Sequence, residues 1–262
     1  MKGALRLDSA VAQQAGITRS QARSLIMEGR VRVDGAIAMK AGQSVRPGAA
    51  IAVEEPRRYV SRGGEKLEGA LEAFALDVRD TEALDVGASS GGFTDCLLQR
   101  GARSVTAVDV GYGQLDWKLR NDSRVRVVER TNFRLLPDDA FPLGFDVIVV
   151  DASFISALTI LARAVAFLRE GGAIVALVKP QFEAGRERLG RGGVVRDPAV
   201  HRAILREVRD GVARLGLVVA GAIASPLVGP AGNREFLFLI RREGELVDDA
   251  RIDALVDEQE QL

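Results

Sequence analysis

Strand-like and helix-like segments alternate along the chain from residue 83 to residue 240. The expected strands are Ala83–Val86, Ser104–Val108, Val125–Val128, Phe145–Val150, Ala173–Val178, Leu217–Ala224 and Glu235–Ile240. The helical segments between them are Phe93–Arg100, Gln114–Arg120, Ala157–Leu168 and Pro198–Leu215. Because strands joined through helices pair in parallel, this alternation predicts a Rossmann-like α/β domain with a mostly parallel, seven-stranded sheet.

The composition leaves few groups for redox or metal chemistry. Hydrophobic residues make up 47% of the 262 residues, enough for a buried core. The single cysteine, Cys96, excludes an internal disulfide, and the single histidine, His201, excludes a His/Cys metal cluster. The N-terminus lacks the apolar run of a secretory signal, and no segment reaches the roughly 20 apolar residues of a spanning helix. We therefore expect a cytoplasmic protein without metal or membrane partners.

Charge is distributed unevenly, although the net charge is zero. Residues 1–66 contain 12 lysines and arginines against 6 acidic residues, so this region carries a charge of +6 and the remainder −6. A basic region joined to an acidic one indicates contact with a polyanion such as a nucleic acid. A solvated basic surface is the alternative.

Residues 1–53 are predicted to form a small α+β domain of two helices and short strands. Asp8 is placed to cap a helix that Gly16 ends, and Thr18 begins a second helix with capping-box spacing. Asp34 and Gly35 predict a hairpin turn. Five arginines of this domain are candidates for phosphate contacts: Arg6, Arg19, Arg23, Arg30 and Arg32.

Three motifs of this domain resemble the alpha-L RNA-binding domain of small ribosomal subunit protein four and many pseudouridine synthases. They are Arg6-Leu-Asp8, Thr18-Arg-Ser-Gln-Ala-Arg-Ser-Leu-Ile26 and Gly29-Arg-Val-Arg-Val-Asp-Gly35. The resemblance implies that the domain binds RNA. Residues 54–63 are expected to form a linker, residues 64–243 the α/β domain, and residues 244–262 an acidic, weakly packed tail.

A glycine-rich loop connects the first strand of the α/β domain to the next helix. Gly87, Gly91 and Gly92 permit a tight turn and close approach of a ligand to the backbone. Ser89 stands where dinucleotide-binding proteins place the glycine that faces pyrophosphate. The loop is preceded by an acidic residue, Asp85, which suits a ligand with a cationic amino-acid end. The pattern therefore favours S-adenosylmethionine over NAD, with a purely structural turn as the alternative.

Asp109 ends the second strand, where an acidic side chain can bind a ribose diol. Because this carboxylate is expected to face an open crevice, we expect it to have few partners in the protein. Asn132, after the third strand, is a candidate contact on the adenine side. The candidate cofactor-binding residues are Asp85, Gly87, Ser89, Gly91, Gly92, Phe93, Asp109 and Asn132.

Four charged residues occupy positions where an α/β enzyme could use them: Lys66, Asp151, Lys179 and Glu235. Asp151 and Lys179 each follow a strongly apolar strand, and ligands of open α/β sheets bind outside the carboxyl ends of the strands. Only five lysines occur in the chain, so two of them at such positions are informative. Ordinary strand-end charges or a simple ion pair are the alternative.

Six longer motifs resemble the TlyA family, whose members are ribosomal RNA 2′-O-methyltransferases often labelled hemolysins. They are Tyr59-Val-Ser-Arg-Gly-Gly-Glu-Lys-Leu67, Asp85-Val-Gly-Ala-Ser-Ser-Gly-Gly-Phe-Thr-Asp95, Asp109-Val-Gly-Tyr-Gly-Gln-Leu115, Val150-Asp-Ala-Ser-Phe-Ile155, Val178-Lys-Pro-Gln-Phe-Glu183 and Gly192-Gly-Val-Val-Arg-Asp-Pro198. The resemblance implies a class I methyltransferase domain similar to FtsJ, dependent on S-adenosylmethionine. It also implies a ribosomal RNA substrate, with a cytidine as the target, free or within a ribosomal subunit.

The resemblance further implies that Lys66, Asp151, Lys179 and Glu235 form the family's catalytic tetrad. Lys179 would stabilise the developing alkoxide or accept its proton, Asp151 would hold Lys179, and the other pair would fix the ribose. Two alternatives are a non-catalytic RNA-binding factor in ribosome assembly and a membrane-active hemolysin. The intact tetrad weighs against the first, and the absence of a spanning segment against the second.

Overall fold

The computed structural model describes residues 5–27, 29–53, 58–190, 192–229 and 232–260. The chain divides into two compact units, Met1–Arg58 and Tyr59–Leu262. Part of the expected linker, residues 54–57, lies outside the described residues. Within the described ranges, no helix is both long and apolar enough to cross a membrane.

The N-terminal unit contains two helices and short antiparallel strands. Its elements are β1 (Leu5–Arg6), α1 (Leu7–Ala15), α2 (Arg19–Met27), β2 (Val31–Val33), β3 (Ala36–Ile37), β4 (Ser44–Val45) and β5 (Ile51–Val53). Strand β2 pairs with both β3 and β5, and β1 pairs with β4. A small core including Leu7, Val11 and Ile26 holds these elements together.

Local turn chemistry explains the boundaries of these elements and confirms three predictions. Gly16 ends α1 in the left-handed region, with φ at 65°. Before α2, the backbone N–H of Thr18 donates to the Gln21 side chain at 2.9 Å, and the Gln21 N–H donates to the Thr18 hydroxyl at 3.2 Å. Asp34 and Gly35 both have positive φ, as the two-residue turn between β2 and β3 requires.

Asp8 does not cap α1, contrary to the prediction, because its carboxylate binds three arginines instead. It lies in the first turn of the helix and is fully buried. Arg6, Arg19 and Arg23 approach its Oδ2 atom to within 2.8, 3.2 and 3.1 Å. The hydrogen bonds from Arg6, reinforced by the other two guanidinium groups, hold the pKa of Asp8 well below its usual range.

The second unit is built around one large sheet. Its strands are β6 (Glu82–Val86), β7 (Ser104–Val108), β8 (Val125–Val128), β9 (Phe145–Val150), β10 (Leu168–Val178), β11 (Val218–Ala224) and β12 (Phe236–Arg241). Its helices are α3 (Arg62–Ala73), α4 (Gly92–Gln99), α5 (Trp117–Arg120), α6 (Ala157–Ala164), α7 (Pro180–Glu183), α8 (Pro198–Arg214) and α9 (Asp249–Glu260). Short 3-10 turns occupy Phe133–Leu135, Val165–Phe167 and Arg186–Arg188.

The strand order is β11-β12-β10-β9-β6-β7-β8, which confirms the predicted seven-stranded, mostly parallel sheet. Only β12 runs antiparallel to its neighbours in this sheet. Apolar clusters pack on both faces. The chain moves outward from β6 in one direction to β7 and in the other to β9, so a crevice forms at the carboxyl ends of these strands.

Most boundaries of the expected elements differ by at most one residue, and three differ by three residues or more. Helix α5 begins at Trp117 rather than Gln114, and α6 ends at Ala164 rather than Leu168, where a 3-10 turn follows. Strand β10 begins at Leu168 rather than Ala173 and passes through Gly171, which has positive φ. Pairing of Leu168 with Phe145 of β9 draws the residues before Ala173 into the strand.

The C-terminal segment is not weakly packed, contrary to the prediction. Helix α9 buries Ile252, Leu255 and Val256 in the core on one side of the sheet. Acidic residues of α9 pair with arginines of α8: Asp253 lies 2.6 Å from Arg206, and Asp249 lies 2.5 Å from Arg209. The acidic residues of α9 therefore form ion pairs with α8, and the charge of the segment alone does not predict this pairing.

Candidate active site

The glycine loop between β6 and α4 is tightly enclosed by other parts of the chain. Gly87 has a φ of +86°, and a Cβ atom there would lie 2.7 Å from the carbonyl oxygen of Asp151. A Cβ on Gly91 would lie 2.3 Å from Leu119, and one on Gly92 would lie 2.3 Å from the hydroxyl of Ser61. The loop therefore requires glycine for packing as well as for its turn.

A cavity of about 610 Å³ opens at the carboxyl ends of β6, β7 and β9. Four of the predicted cofactor-binding residues border it: Gly87, Ser89, Asp109 and Asn132. Asn132 also begins the neighbouring 3-10 turn, where its side-chain oxygen accepts from the Arg134 N–H at 3.2 Å. The volume is within the range of small-molecule sites, roughly 300–1,000 Å³.

Asp109 has more partners than we expected. Its Oδ2 accepts a hydrogen bond from the backbone N–H of Ser89 at 2.8 Å, and its Oδ1 accepts from Gly111 at 2.7 Å. The expectation that this carboxylate has few protein partners is wrong, because the loop after β6 folds across the end of β7. A carboxylate has about four lone-pair sites, so Asp109 keeps acceptor capacity toward the cavity.

Asp85 lies behind the loop, in the interior of the domain. It is fully buried, and its Oδ2 accepts from the hydroxyl of Thr94 at 2.7 Å. Among the described residues, its Oδ1 has no hydrogen-bond donor. Burial, with smaller contributions from the charges of Asp151 and Asp109, raises the pKa of Asp85 to about 7. An unsatisfied buried acceptor of this kind fits a ligand that brings a donor.

A second cavity, of about 180 Å³, also borders the glycine loop and shares lining residues with the first. Lys66, Asp151 and Lys179 border it, together with the predicted cofactor residues Gly87, Ser89, Gly92 and Phe93. Gly91 and Asp85 border neither cavity. Phe93 is almost fully buried and belongs to the core.

Two lysine–carboxylate pairs meet at this second cavity. The Nζ of Lys66 lies 2.5 Å from the Oε2 of Glu235, and the Nζ of Lys179 lies 2.6 Å from the Oδ1 of Asp151. Both lysines and Glu235 are buried. Compensation by a carboxylate is what allows an ammonium group to remain charged away from water. Three of the four residues singled out in sequence thus border this cavity, and the fourth, Glu235, pairs with one of them.

Sequence reasoning missed two residues that border the site. Ser153 borders both cavities and accepts a hydrogen bond from the Nζ of Lys179 at 2.8 Å. Phe154 has a positive φ of 64° and is 91% exposed beside the larger cavity, and its ring lies 5.1 Å from that of Phe182. Both lie in the motif Val150-Asp-Ala-Ser-Phe-Ile155, but only the backbone conformation and the exposure seen in the structure distinguish them from the other residues of that motif.

The five candidate RNA-binding arginines belong to the N-terminal unit, and three of them form a cluster. Arg6, Arg19 and Arg23 share Asp8, and each side chain is still about half exposed, at 50%, 52% and 53%. Arg32 donates to the carbonyl of Gly35 at 3.3 Å, next to the hairpin turn. The buried carboxylate thus orients three guanidinium groups while their outer edges still face solvent.

The sheet order, the antiparallel β12 and the glycine loop with an acid after β7 define a class I methyltransferase fold. A structure from Listeria monocytogenes labelled as an S-adenosylmethionine-dependent methyltransferase has this fold, with a TM-score of 0.52 at 17% identity. The chain belongs to the FtsJ-like methyltransferase family, which matches residues 59–242, and residues 5–51 match the S4 domain.

Individual relatives cover nearly the whole chain. Identity is 47% over 242 residues to the 16S/23S rRNA (cytidine-2′-O)-methyltransferase TlyA of Mycobacterium tuberculosis, covering 91% of this chain and 90% of that protein. Identity is 39% to Hemolysin A of Brachyspira hyodysenteriae, covering 89% and 98%. A hemolysin-labelled structure from Streptococcus thermophilus has a TM-score of 0.77 at 41% identity, covering 100% and 97%. The similarity to the TlyA family inferred from the motifs is confirmed.

The raised pKa of Asp85 predicts a pH-dependent stability. Its folded pKa of about 7 exceeds the unfolded value near 3.9, so the folded protein binds the extra proton between these values. The free energy of unfolding should therefore fall as pH rises from 5 to 7, by up to about 1.4 kcal/mol per pH unit, and level off above pH 7. Urea unfolding followed by circular dichroism at pH 5, 6, 7 and 8 measures this slope.

Two variants test the assignment to Asp85. Asp85→Asn should flatten the slope, because the titrating group is gone. Thr94→Val should steepen it, because it removes the hydrogen bond that favours the ionised carboxyl. Slopes that are the same in the wild-type protein and in both variants would show that Asp85 does not titrate in this range.

Proposed function

We propose that this protein is an S-adenosylmethionine-dependent methyltransferase that methylates the ribose 2′-hydroxyl of a cytidine in ribosomal RNA. The observation that carries the proposal is that two buried lysines, each paired with a carboxylate, border a small cavity next to a cofactor-sized cavity. Identity to a relative named as a ribosomal RNA cytidine 2′-O-methyltransferase, over most of both chains, supports the same activity.

The residues around the larger cavity suit S-adenosylmethionine. Gly87 allows a ligand to approach the backbone, and Asp109 has acceptor capacity for the hydroxyls of a ribose. Asp85 does not border the cavity, but its unsatisfied Oδ1 behind the glycine loop can accept from the amino-acid end of a ligand. Asn132, which borders the cavity, offers an amide for the base. When bound, S-adenosylmethionine supplies an electrophilic methyl group on its sulfonium.

Lys179 is the residue best suited to act on the target hydroxyl. A ribose hydroxyl is a weak nucleophile, and negative charge develops on its oxygen as its proton passes to solvent. The ammonium of Lys179, buried beside Asp151, can stabilise that charge. Asp151 keeps the ammonium at the cavity.

Lys66 and Glu235 are suited to hold the ribose. Their contact at 2.5 Å joins the first turns of α3 to the residue before β12. Lys66 borders the smaller cavity, so the pair lies next to it. An ammonium donor beside a carboxylate acceptor can bind neighbouring sugar hydroxyls and fix the ring. Because the methyl donor is already reactive, correct orientation of the ribose supplies much of the acceleration of methyl transfer.

The N-terminal unit is suited to contact the RNA backbone. Its match to the S4 domain and its half-exposed arginines support this role. Phosphate contacts position a protein on RNA without reading sequence, so the choice of nucleotide falls to the catalytic domain.

Lys179→Arg is expected to lower the methylation rate by about 100-fold or more while changing cofactor affinity only a few-fold. Arginine keeps the charge, but its planar fork does not present a compact donor to a single oxygen. Transfer of a labelled methyl group to ribosomal RNA measures the rate, and calorimetry with S-adenosylhomocysteine measures the affinity. Lys118→Arg, an exposed lysine outside the site, is the control and should keep full activity. A fully active Lys179→Arg protein would refute the role, and an inactive wild-type protein would favour a non-catalytic RNA-binding factor.

Asp109→Ala is expected to weaken S-adenosylhomocysteine binding and also to lower the melting temperature of the free protein. Hydrogen bonds to a charged group contribute roughly 1.5–3 kcal/mol, which corresponds to about a ten- to hundredfold rise in Kd. Stability falls because the N–H groups of Ser89 and Gly111 lose their acceptor.

Asp116→Ala is the matched control for this variant. Asp116 accepts from the Lys118 N–H at the start of α5 and does not border the cavity, so its loss should lower stability alone. Equal affinities of the two variants would mean that Asp109 serves the loop and not the cofactor.

Replacing Arg30 and Arg32 with glutamine should weaken RNA binding and make it less dependent on salt. Each phosphate contact contributes about −0.7 to −0.9 to the slope of log K against log salt, so two lost contacts reduce the slope by about 1.4–1.8. Titrations of ribosomal RNA fragments between 50 and 300 mM salt provide the slope. A double variant of Arg79 and Arg124, which pair with Asp77 and Asp122 in the other unit, is the control. An unchanged slope would show that Arg30 and Arg32 do not contact phosphates.

A further inference from the structure

The ammonium of Lys179 has a second partner besides Asp151. Its Nζ donates a hydrogen bond to the Oγ of Ser153 at 2.8 Å. Ser153 lies two residues beyond Asp151, in the loop between β9 and α6. One short loop therefore presents both a carboxylate and a hydroxyl to the same lysine.

The two contacts differ in kind. The Oδ1 of Asp151 is 2.6 Å from the Nζ, but this atom does not accept a hydrogen bond in good geometry, so the contact is an ion pair. The bond to Ser153 satisfies both distance and angle. Attraction between two charges depends weakly on direction, whereas a hydrogen bond prefers an angle above about 150° and so orients the donor. Asp151 holds the charge in place, and Ser153 sets its direction.

Ser153 is exposed, and two features of its loop bear on its position. Phe154, the next residue, has a φ of +64°, a conformation that is rare for a bulky side chain. At the end of the loop, Ser156 donates to the carboxylate of Glu183 at 2.6 Å, and the Ala157 N–H donates to it at 2.7 Å. Glu183 lies four residues beyond Lys179. The loop after β9 and the segment after β10 are therefore joined twice, at Ser153 with Lys179 and at Ser156 with Glu183.

The position of Ser153 relative to the cavities is the remaining observation. It borders the larger cavity, which suits the cofactor, and also the smaller one, which Lys66 and Lys179 border. An ammonium has three hydrogens. One hydrogen of the Lys179 ammonium is directed to Ser153 and a second is attracted to Asp151, which leaves a third hydrogen. Among the described residues, no further hydrogen bond or ion pair involves this third hydrogen.

We infer that Ser153 is a positioning residue, whose hydrogen bond to Lys179 directs the free N–H of the ammonium into the smaller cavity, toward the 2′-oxygen of the target ribose. The inference rests on the proposed function. It makes the hydroxyl necessary for the rate of methyl transfer and unnecessary for binding of the cofactor or for folding.

Ser153→Ala should lower kcat for methylation of ribosomal RNA about tenfold or more, because a hydrogen bond to a charged group is lost. KM for the RNA, Kd for S-adenosylhomocysteine and the melting temperature should stay within twofold or within the error of measurement. Ser153→Thr, which keeps the hydroxyl, should restore kcat. Thr81→Val is the control, because this threonine donates to the carbonyl of Val78 at 2.6 Å just before β6 and borders neither cavity. It should lower the melting temperature and leave the rate within about twofold of the wild type.

A second measurement reports on the ammonium itself. The chain contains only five lysines, so selective 15N-lysine labelling gives few Nζ signals, and Lys179→Arg identifies the one of interest. We expect a slowly exchanging Nζ–H signal from Lys179 in the wild-type protein, its loss in Ser153→Ala and its return in Ser153→Thr. The signal should persist in Thr81→Val.

The outcomes separate this inference from the proposed function. A wild-type protein that methylates RNA, with a Ser153→Ala variant of equal kcat or an unchanged Lys179 signal, would overturn the inference alone. A wild-type protein that methylates no ribosomal RNA would overturn the proposed function and this inference with it. Loss of rate and signal in Ser153→Ala, with recovery of both in Ser153→Thr, supports the positioning role.

Discussion

Two ammonium groups withdrawn from water at the carboxyl end of the sheet are the constraint on which the site depends. A buried charge without a partner is strongly destabilising, and removal of one member of a buried pair costs roughly 3–5 kcal/mol. Lys66 and Glu235 are 169 positions apart in sequence, yet their Nζ and Oε2 atoms lie 2.5 Å apart. Helix α3 and strand β12 must therefore be correctly placed on the sheet before this pair can form. The charges that suit catalysis thus also link the two ends of the catalytic domain.

Close contact between backbones joins the glycine loop after β6 to the loop after β9. Gly87 lies so near the carbonyl of Asp151 that a Cβ atom would clash, and the Asp151 N–H donates to the carbonyl of Val86 at 3.0 Å. Close packing and a hydrogen bond therefore join the loop after β6 to the loop after β9. Ser153, in the second of these loops, borders both cavities. Under the proposed function, these backbone contacts set the relation between a methyl donor in the larger cavity and Lys179 at the smaller one.

Much of the site followed from sequence because strand ends are readable. Asp151 and Lys179 follow runs of apolar residues, and parallel strands bring their carboxyl ends to one edge, so these two positions were predictable. The surroundings of Asp85 and Asp109 were not. Asp85 is fully buried and accepts a hydrogen bond from the Thr94 hydroxyl. Asp109 accepts from two backbone N–H groups, because the loops fold back over the strand ends. Loop paths depend on packing against distant segments, for which local residue types give no signal.

The sequence by itself determined the alternation of strands and helices, the glycine positions of the loop and the four charged residues of the site, since these depend on periodicity, turn chemistry and local order. Only the tertiary structure decided which partner each charge takes. Asp8 became the centre of an arginine cluster rather than a helix cap, and the acidic C-terminal segment became a helix paired with α8. The direction of the Lys179 ammonium was likewise decided by Ser153. The physical reason is that electrostatic and hydrogen-bond energies depend on distance and angle between groups far apart in sequence, and the fold alone sets those distances.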